Sequence, residues 1–141
     1  MKKTLNPFHL AFPIYDIQDT IEWYTNILGC KIGRKSNKWV DFDFFGHQIS
    51  AHLTSKKKLS LPTNKVDEKN IPIRHFGIIL SIEKWKDLSN RLINKKQKFI
   101  VKPYIRFQGS KGEQATMFIK DPSGNVLEFK AFKKHSMIFE N

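Results

Sequence analysis

At 141 residues the chain has the length of one domain with a real core and is too short for two ordinary ones. Hydrophobic residues make up 40% and aromatics 13%, against a charged fraction of 27%, a balance that excludes an intrinsically disordered chain. The formal net charge of +12 invites a nucleic-acid reading. Yet the lysines are scattered or sit in short runs (Lys56 to Lys58, Lys95 and Lys96, Lys133 and Lys134) without a recognition motif, so a solvated basic surface and no nucleic-acid partner are expected.

Lys2 and Lys3 resemble the basic start of a leader, but Pro7, His9 and Pro13 interrupt the adjoining segment and no long apolar span appears, so neither export nor membrane insertion is expected. Cys30 is the single cysteine and has no internal partner for a disulfide, which fits a cytoplasmic protein.

In chain order, His9 opens an apolar strand. Asp16 caps a helix over 17–28 whose Ile17, Ile21, Tyr24 and Leu28 recur at helical spacing, and Gly29 stops it. Strands come next over 31–34, 39–45 and 47–54, with Gly46 turning between the last two. Residues 55–72, rich in Lys, Asn and Pro, read as a linker. His75 opens a second apolar strand, and Ser81 caps a helix running to about Lys95, with Trp85, Leu88 and Leu92 as its buried stripe. Strands over 99–103, 114–120 and 126–132 close the pattern, the last launched by the turn Asp121-Pro-Ser-Gly124.

The two halves repeat. HLAFPIYDIQDTIEWYTNIL from His9 and HFGIILSIEKWKDLSNRLI from His75 give the same order of His, strand, cap and amphipathic helix, with Ile17 facing Ile82, Trp23 facing Leu88 and Ile27 facing Leu92. The expected fold is therefore α+β, a single domain of two βαβββ modules (5–54 and 73–132) with a tail over 133–141. Their strands form a strongly curved mixed sheet around a groove, with the helices on the outer face.

Strand alternation sets His9 apart from Leu10 and Phe12, and Glu128 apart from Leu127 and Phe129, so both point away from the helix-covered side. Alternation alone does not orient His75; its equivalence with His9 in the repeat does. Two imidazoles and one carboxylate are a donor set for a divalent transition metal that leaves coordination positions open. On 47–54, His52 shares the open face with Gln48 and Ser50, while His47 has the opposite parity and reads as a structural hydrogen bonder. Tyr104 and Arg106 offer a hydroxyl and a bidentate fork to a phenolic or carboxylate group, and Gly109 to Gly112 form a flexible segment suited to a lid.

The motifs His9-Leu-Ala-Phe-Pro, Arg74-His75-Phe-Gly and Asp121-Pro-Ser-Gly-Asn-Val-Leu-Glu128-Phe resemble the vicinal oxygen chelate superfamily, which includes glyoxalase I, bleomycin-resistance proteins and extradiol dioxygenases. The resemblance runs from Leu5 to Phe132. It implies paired βαβββ modules, metal-ligand roles for His9, His75 and Glu128, a small-molecule substrate and a homodimer. Glyoxalase I enzymes supply a further carboxylate from the fourth strand, where this chain reads HQISAHLT, so the triad is more similar to the iron site of extradiol dioxygenases. The expected activity is thus that of a dioxygenase acting on a small aromatic diol. Fe(II) is the first choice of ion, with Mn, Ni or Zn as alternatives, and His52 is the acid/base group. Against this, Gln114 to Ile119 lacks the His and Tyr that extradiol enzymes carry before their final carboxylate. The alternatives are a glyoxalase-type lyase or isomerase, and a metal-free drug-binding protein whose groove is lined by Trp39 and Phe45.

Overall fold

Each half of the chain folds into the βαβββ module that the repeat predicts. The computed structural model describes residues 4–55 and 61–141, which divide into two compact units with the boundary between Lys57 and Lys58. Lys2, Lys3, the run Lys56 to Lys58 and part of the expected linker lie outside the described residues.

The first unit contains β1 (His9–Ile14), α1 (Ile17–Asn26), β2 (Lys31–Lys35), β3 (Trp39–Phe44) and β4 (His47–Leu53). Its four strands lie in the order β1-β4-β3-β2, with β1 parallel to β4 and the other pairs antiparallel. Asp16 caps α1 by accepting from the Asp19 amide at 2.8 Å. The helix ends two residues earlier than its apolar pattern, closing in an αL cap: Gly29, at a φ of 74°, donates its amide to Thr25 O, and the Cys30 amide reaches back to Tyr24 O. The buried stripe also differs from the expected one: Thr20, Tyr24 and Leu28 are buried, and Ile17 and Ile21 only half so. Thr20 is tolerated there because its hydroxyl donates to Asp16 O at 2.6 Å. Tyr24 stacks on Phe42 with ring centroids 4.9 Å apart, joining helix to sheet.

Burial pushes the Cys30 thiol up to about 12, with the nearby Asp43 charge adding to the effect. At pH 8 that leaves roughly one thiolate in ten thousand chains. Native protein mixed with Ellman's reagent is therefore expected to stay unlabelled over the time in which denatured chain yields one thiol. Rapid native labelling would contradict this packing.

The second unit contains β5 (Thr63–Val66), β6 (Lys69–Pro72), β7 (Phe76–Leu80), α2 (Ile82–Asn94), β8 (Phe99–Arg106), β9 (Gln114–Lys120) and β10 (Val126–Phe132), followed by a 3-10 turn at His135–Met137 within the expected tail. Its main sheet has the order β7-β10-β9-β8, with β7 parallel to β10. Trp85 on α2 donates its indole N–H to Phe129 O at 2.9 Å, anchoring the helix to β10. Leu127, Phe129 and Ala131 of β10 are buried in alternation with half-buried residues, whereas β9 is buried on both faces, Ala115, Met117 and Ile119 on one and Thr116 and Phe118 on the other.

The segment read as linker is corrected over 63–72, where β5 and β6 form an antiparallel hairpin. Its turn is Asp67-Glu68, both at positive φ (49° and 63°), as a tight two-residue hairpin turn requires. Polar composition concealed it, because only Val66 and Ile71 carry its packing, against Val101, Phe118, Val126 and Tyr104. Among the described residues, no helix is long and apolar enough to cross a membrane.

Candidate functional site

The Asp121-Pro-Ser-Gly-Asn segment builds the start of β10. The buried Asp121 carboxylate accepts from the Ser123 amide at 2.9 Å, the Asn125 amide at 2.8 Å and the Asn125 side chain at 2.8 Å, while the Gly124 amide bonds Asp121 O at 3.1 Å. This turn fixes the phase of β10, and with it the face on which Glu128 emerges.

Register then assembles a row of polar groups. Glu128 lies beside Gly77 of β7 and Phe118 of β9, and Lys130 lies beside Ile79, Thr116 and, one strand further, Tyr104. His75 immediately precedes β7, and its Nε2 stands 3.3 Å from Glu128 Oε1. The other ring nitrogen, Nδ1, is 2.7 Å from Pro72 O. A carbonyl only accepts, so Nδ1 carries a proton, and in neutral His75 Nε2 is the lone-pair nitrogen. Thr116 donates to Glu128 Oε2 at 2.6 Å, and Lys130 Nζ is 4.0 Å from Oε1.

The electrostatics follow from this geometry. The hydrogen bond to Glu128 holds the His75 imidazolium above its ordinary range, against the opposing effect of burial. Burial by itself would raise Glu128, but the bonds from His75 and Thr116 and the nearby Lys130 charge outweigh it and hold the carboxyl below its ordinary range. The donor chemistry fits a divalent cation: an oriented imidazole nitrogen beside an ionised carboxylate, each with an outer partner.

In the first unit, His9 is exposed on β1 on the side opposite the buried Phe12 and Ile14, as alternation predicts. In register with it are Gln48 and Asp43, and the next rows carry Ala11, Ser50 and Asp41, then Pro13, His52 and Trp39. His52 is exposed on this face. His47 has the structural role expected of it, accepting the Phe8 amide on Nδ1 at 2.8 Å. The structure thus brings His75 and Glu128 together, while His9 and His52 belong to the other unit. Among the described residues, no three His, Cys, Asp or Glu side chains gather into a cluster that could hold a metal.

Three groups are not evident from the sequence. Asp41 is a buried carboxylate on the His9 face, accepting from Ser50 Oγ at 2.6 Å and Gln48 Nε2 at 3.5 Å. Its signal is the alternation of WVDFDF, which puts a carboxylate on the third strand, whereas the expected extra ligand belongs to the fourth. Thr116 has the look of an apolar-strand residue until register sets it beside Glu128. Asp67, hidden in the supposed linker, accepts from Tyr104 Oη at 2.9 Å and from Arg106 Nε at 2.6 Å. Tyr104 and Arg106 therefore hold a carboxylate of the chain itself. The Gly109 segment is stitched down by the Glu113 carboxylate, which accepts the Gly109 amide at 2.9 Å, and by Ser110 on Phe107 O.

Two βαβββ modules, each with a parallel strand pair beside an antiparallel ladder, and a His–Glu pair at the head of the second sheet define a vicinal oxygen chelate fold. Residues 7–129 match the family described as the Glyoxalase/Bleomycin resistance protein/Dioxygenase superfamily, and the chain belongs to it. A solved glyoxalase/bleomycin resistance protein/dioxygenase from Alicyclobacillus acidocaldarius is similar over 99% of this chain and 100% of its own, at 31% identity and a TM-score of 0.82. The metallothiol transferase FosB of Lysinibacillus sphaericus (strain C3-41) is 22% identical over 121 residues, 86% of this chain and 78% of its own. The fold is shared by the fosfomycin resistance protein FosX of Listeria monocytogenes, at 16% identity over 97% of this chain and 98% of its own, with a TM-score of 0.67.

Proposed function

We propose that the protein is a metal-dependent enzyme in which His9, His75 and Glu128 hold a divalent ion and the substrate is a small oxygen-bearing anion. The observation that carries this reading is the His75–Glu128 pair, with Nε2 turned to the carboxylate and Nδ1 committed to Pro72 O. Bound there, the ion supplies polarisation of a substrate oxygen. The chain's own residues do the rest. Thr116 steadies Glu128, Lys130 and Arg106 offset negative charge on the substrate, Tyr104 donates a hydroxyl, and His52 takes and returns a proton.

This cationic rim suits an anion better than a neutral diol. Among the activities that relatives are named for, thiol transfer and fosfomycin resistance fit it best, so attack of a nucleophile on a small oxygen-bearing electrophile is the leading reaction. The extradiol-dioxygenase reading, with Fe(II), is the second. It is favoured by β4, whose residues on the His9 face are Gln48, Ser50 and His52, so that strand adds no carboxylate to the two imidazoles and Glu128. The working form is a cytoplasmic homodimer.

The experiment is a panel on protein loaded separately with Mn, Ni, Zn or, anaerobically, Fe(II). Substrates are fosfomycin with a thiol or water, a glutathione hemithioacetal, and catechols with oxygen uptake, and native mass spectrometry reads metal stoichiometry and dimer mass. Metal-dependent turnover is expected, lost by roughly a hundredfold or more in His52→Ala while metal is retained. Protein that binds none of the four ions would refute the enzyme reading and leave a binding protein.

A further inference from the structure

Asp67 sits at the tip of the β5–β6 hairpin, an exposed position where a carboxylate needs no partner to stay ionised. It nevertheless takes both the Tyr104 hydroxyl and the Arg106 guanidinium, with Nε on one oxygen at 2.6 Å and Nη2 on the other at 3.5 Å. Those bonds hold its carboxyl below the ordinary range. Tyr104 and Arg106 are alternate residues of β8, in register with Thr116 and Gln114. The Thr116 hydroxyl touches Glu128, which in turn meets His75. One continuous polar row therefore runs from the candidate metal ligands to a two-point carboxylate holder, and at its far end the holder is filled by the chain itself. Lys69, on the other hairpin strand, lies over the Tyr104 ring at 4.2 Å and adds a second cation to the same place.

Two physical facts make this occupant replaceable. An exposed ion pair contributes little to stability, because water and salt screen it. A tethered carboxylate competes at a finite effective concentration set by the segment that carries it, so a free carboxylate in sufficient excess displaces it. Meanwhile the hairpin is anchored elsewhere, by Val66 and Ile71 against the apolar cluster, so its tip can lose Asp67's contacts without the strands leaving the sheet.

We propose that Tyr104 and Arg106 form a carboxylate-binding subsite, and that Asp67 is an internal stand-in: a latch that the carboxylate of an incoming small-molecule substrate displaces. The present occupant is a planar carboxylate held through both oxygens, so the anion assigned to this subsite is a carboxylate, carried by either of the reacting partners. This deepens the reading of the face as a substrate site, but its test needs no metal and no turnover.

The test compares benzoate and inorganic phosphate binding to the metal-free full chain, by calorimetry and by NMR shifts of Arg106 Nε–H. Asp67→Asn keeps a residue suited to the left-handed turn while removing the competing charge. It is expected to bind benzoate about tenfold more tightly than wild type, with phosphate gaining less. In Asp67→Asn/Arg106→Met the gain should vanish. Saturating benzoate should raise hydrogen exchange at the amides of 67 and 68 in wild type. Equal benzoate affinity in wild type and Asp67→Asn, a gain surviving in the double variant, or a gain for phosphate alone would each overturn the latch. Asp67→Ala, read the same way, guards against a special effect of the Asn side chain. Metal affinity measured on the same samples separates the two readings: absent metal binding with the benzoate gain intact sinks the metal centre and not the latch.

Discussion

Replacing Glu128 with alanine is expected to weaken retention of a divalent ion by more than about a hundredfold, beyond the ten- to hundredfold that outer partners contribute. His75→Ala and His9→Ala should do the same under the proposed ligand set, since two donors hold an ion in an open site less tightly than three. The far-UV circular dichroism should be unchanged for all three, because these side chains lie outside the helix-covered cores. Thr116→Val is the graded comparison. It leaves the Glu128 carboxylate but deletes the 2.6 Å bond to Oε2, so its loss should fall within the smaller range. Metal titration monitored by equilibrium dialysis reads all four variants. Wild-type affinity in His9→Ala would remove it from the ligand set while leaving the pair in the second unit.

Gly77→Ala is expected to have the largest effect on folding of any single methyl added to the second unit. A Cβ built at Gly77 would lie 1.5 Å from Glu128 O and 2.6 Å from the carbonyl carbon. Both are backbone atoms, so no side-chain rotation can make room, and β7 must part from β10 at the point where His75 and Glu128 meet. The cost is about 3 kcal/mol or more, which lowers Tm by something on the order of 10 °C for a chain of this size. Metal affinity should fall with it. Gly112→Ala is the control, because its Cβ would meet only Phe107 at 3.7 Å, an ordinary contact. Thermal melts of the two variants that coincide would show that β7 and β10 accommodate the methyl and that this close approach is not what positions the pair.

The sequence by itself determined what depends on neighbours a few residues away. Asp16 and Ser81 cap their helices, Gly29 ends the first, Gly46 turns β3 into β4, and the Asp121 turn sets the phase of β10. Period-two alternation then commits His9 and Glu128 to the uncovered faces, a consequence of pleating that needs no tertiary information. Only the tertiary structure decided which of these groups meet. His75 and Glu128 are 53 residues apart, Tyr104 and Asp67 are 37 apart, and neither contact has a local cause. The parallel pairing of β7 with β10 creates the first, and the fold-back of a polar hairpin creates the second. The hairpin was illegible because Val66 and Ile71 carry nearly all of its apolar packing, too few to set a period. Asp41 and Thr116 were illegible as partners for a related reason. Alternation says which face a side chain takes, whereas register between strands decides what lies beside it on that face.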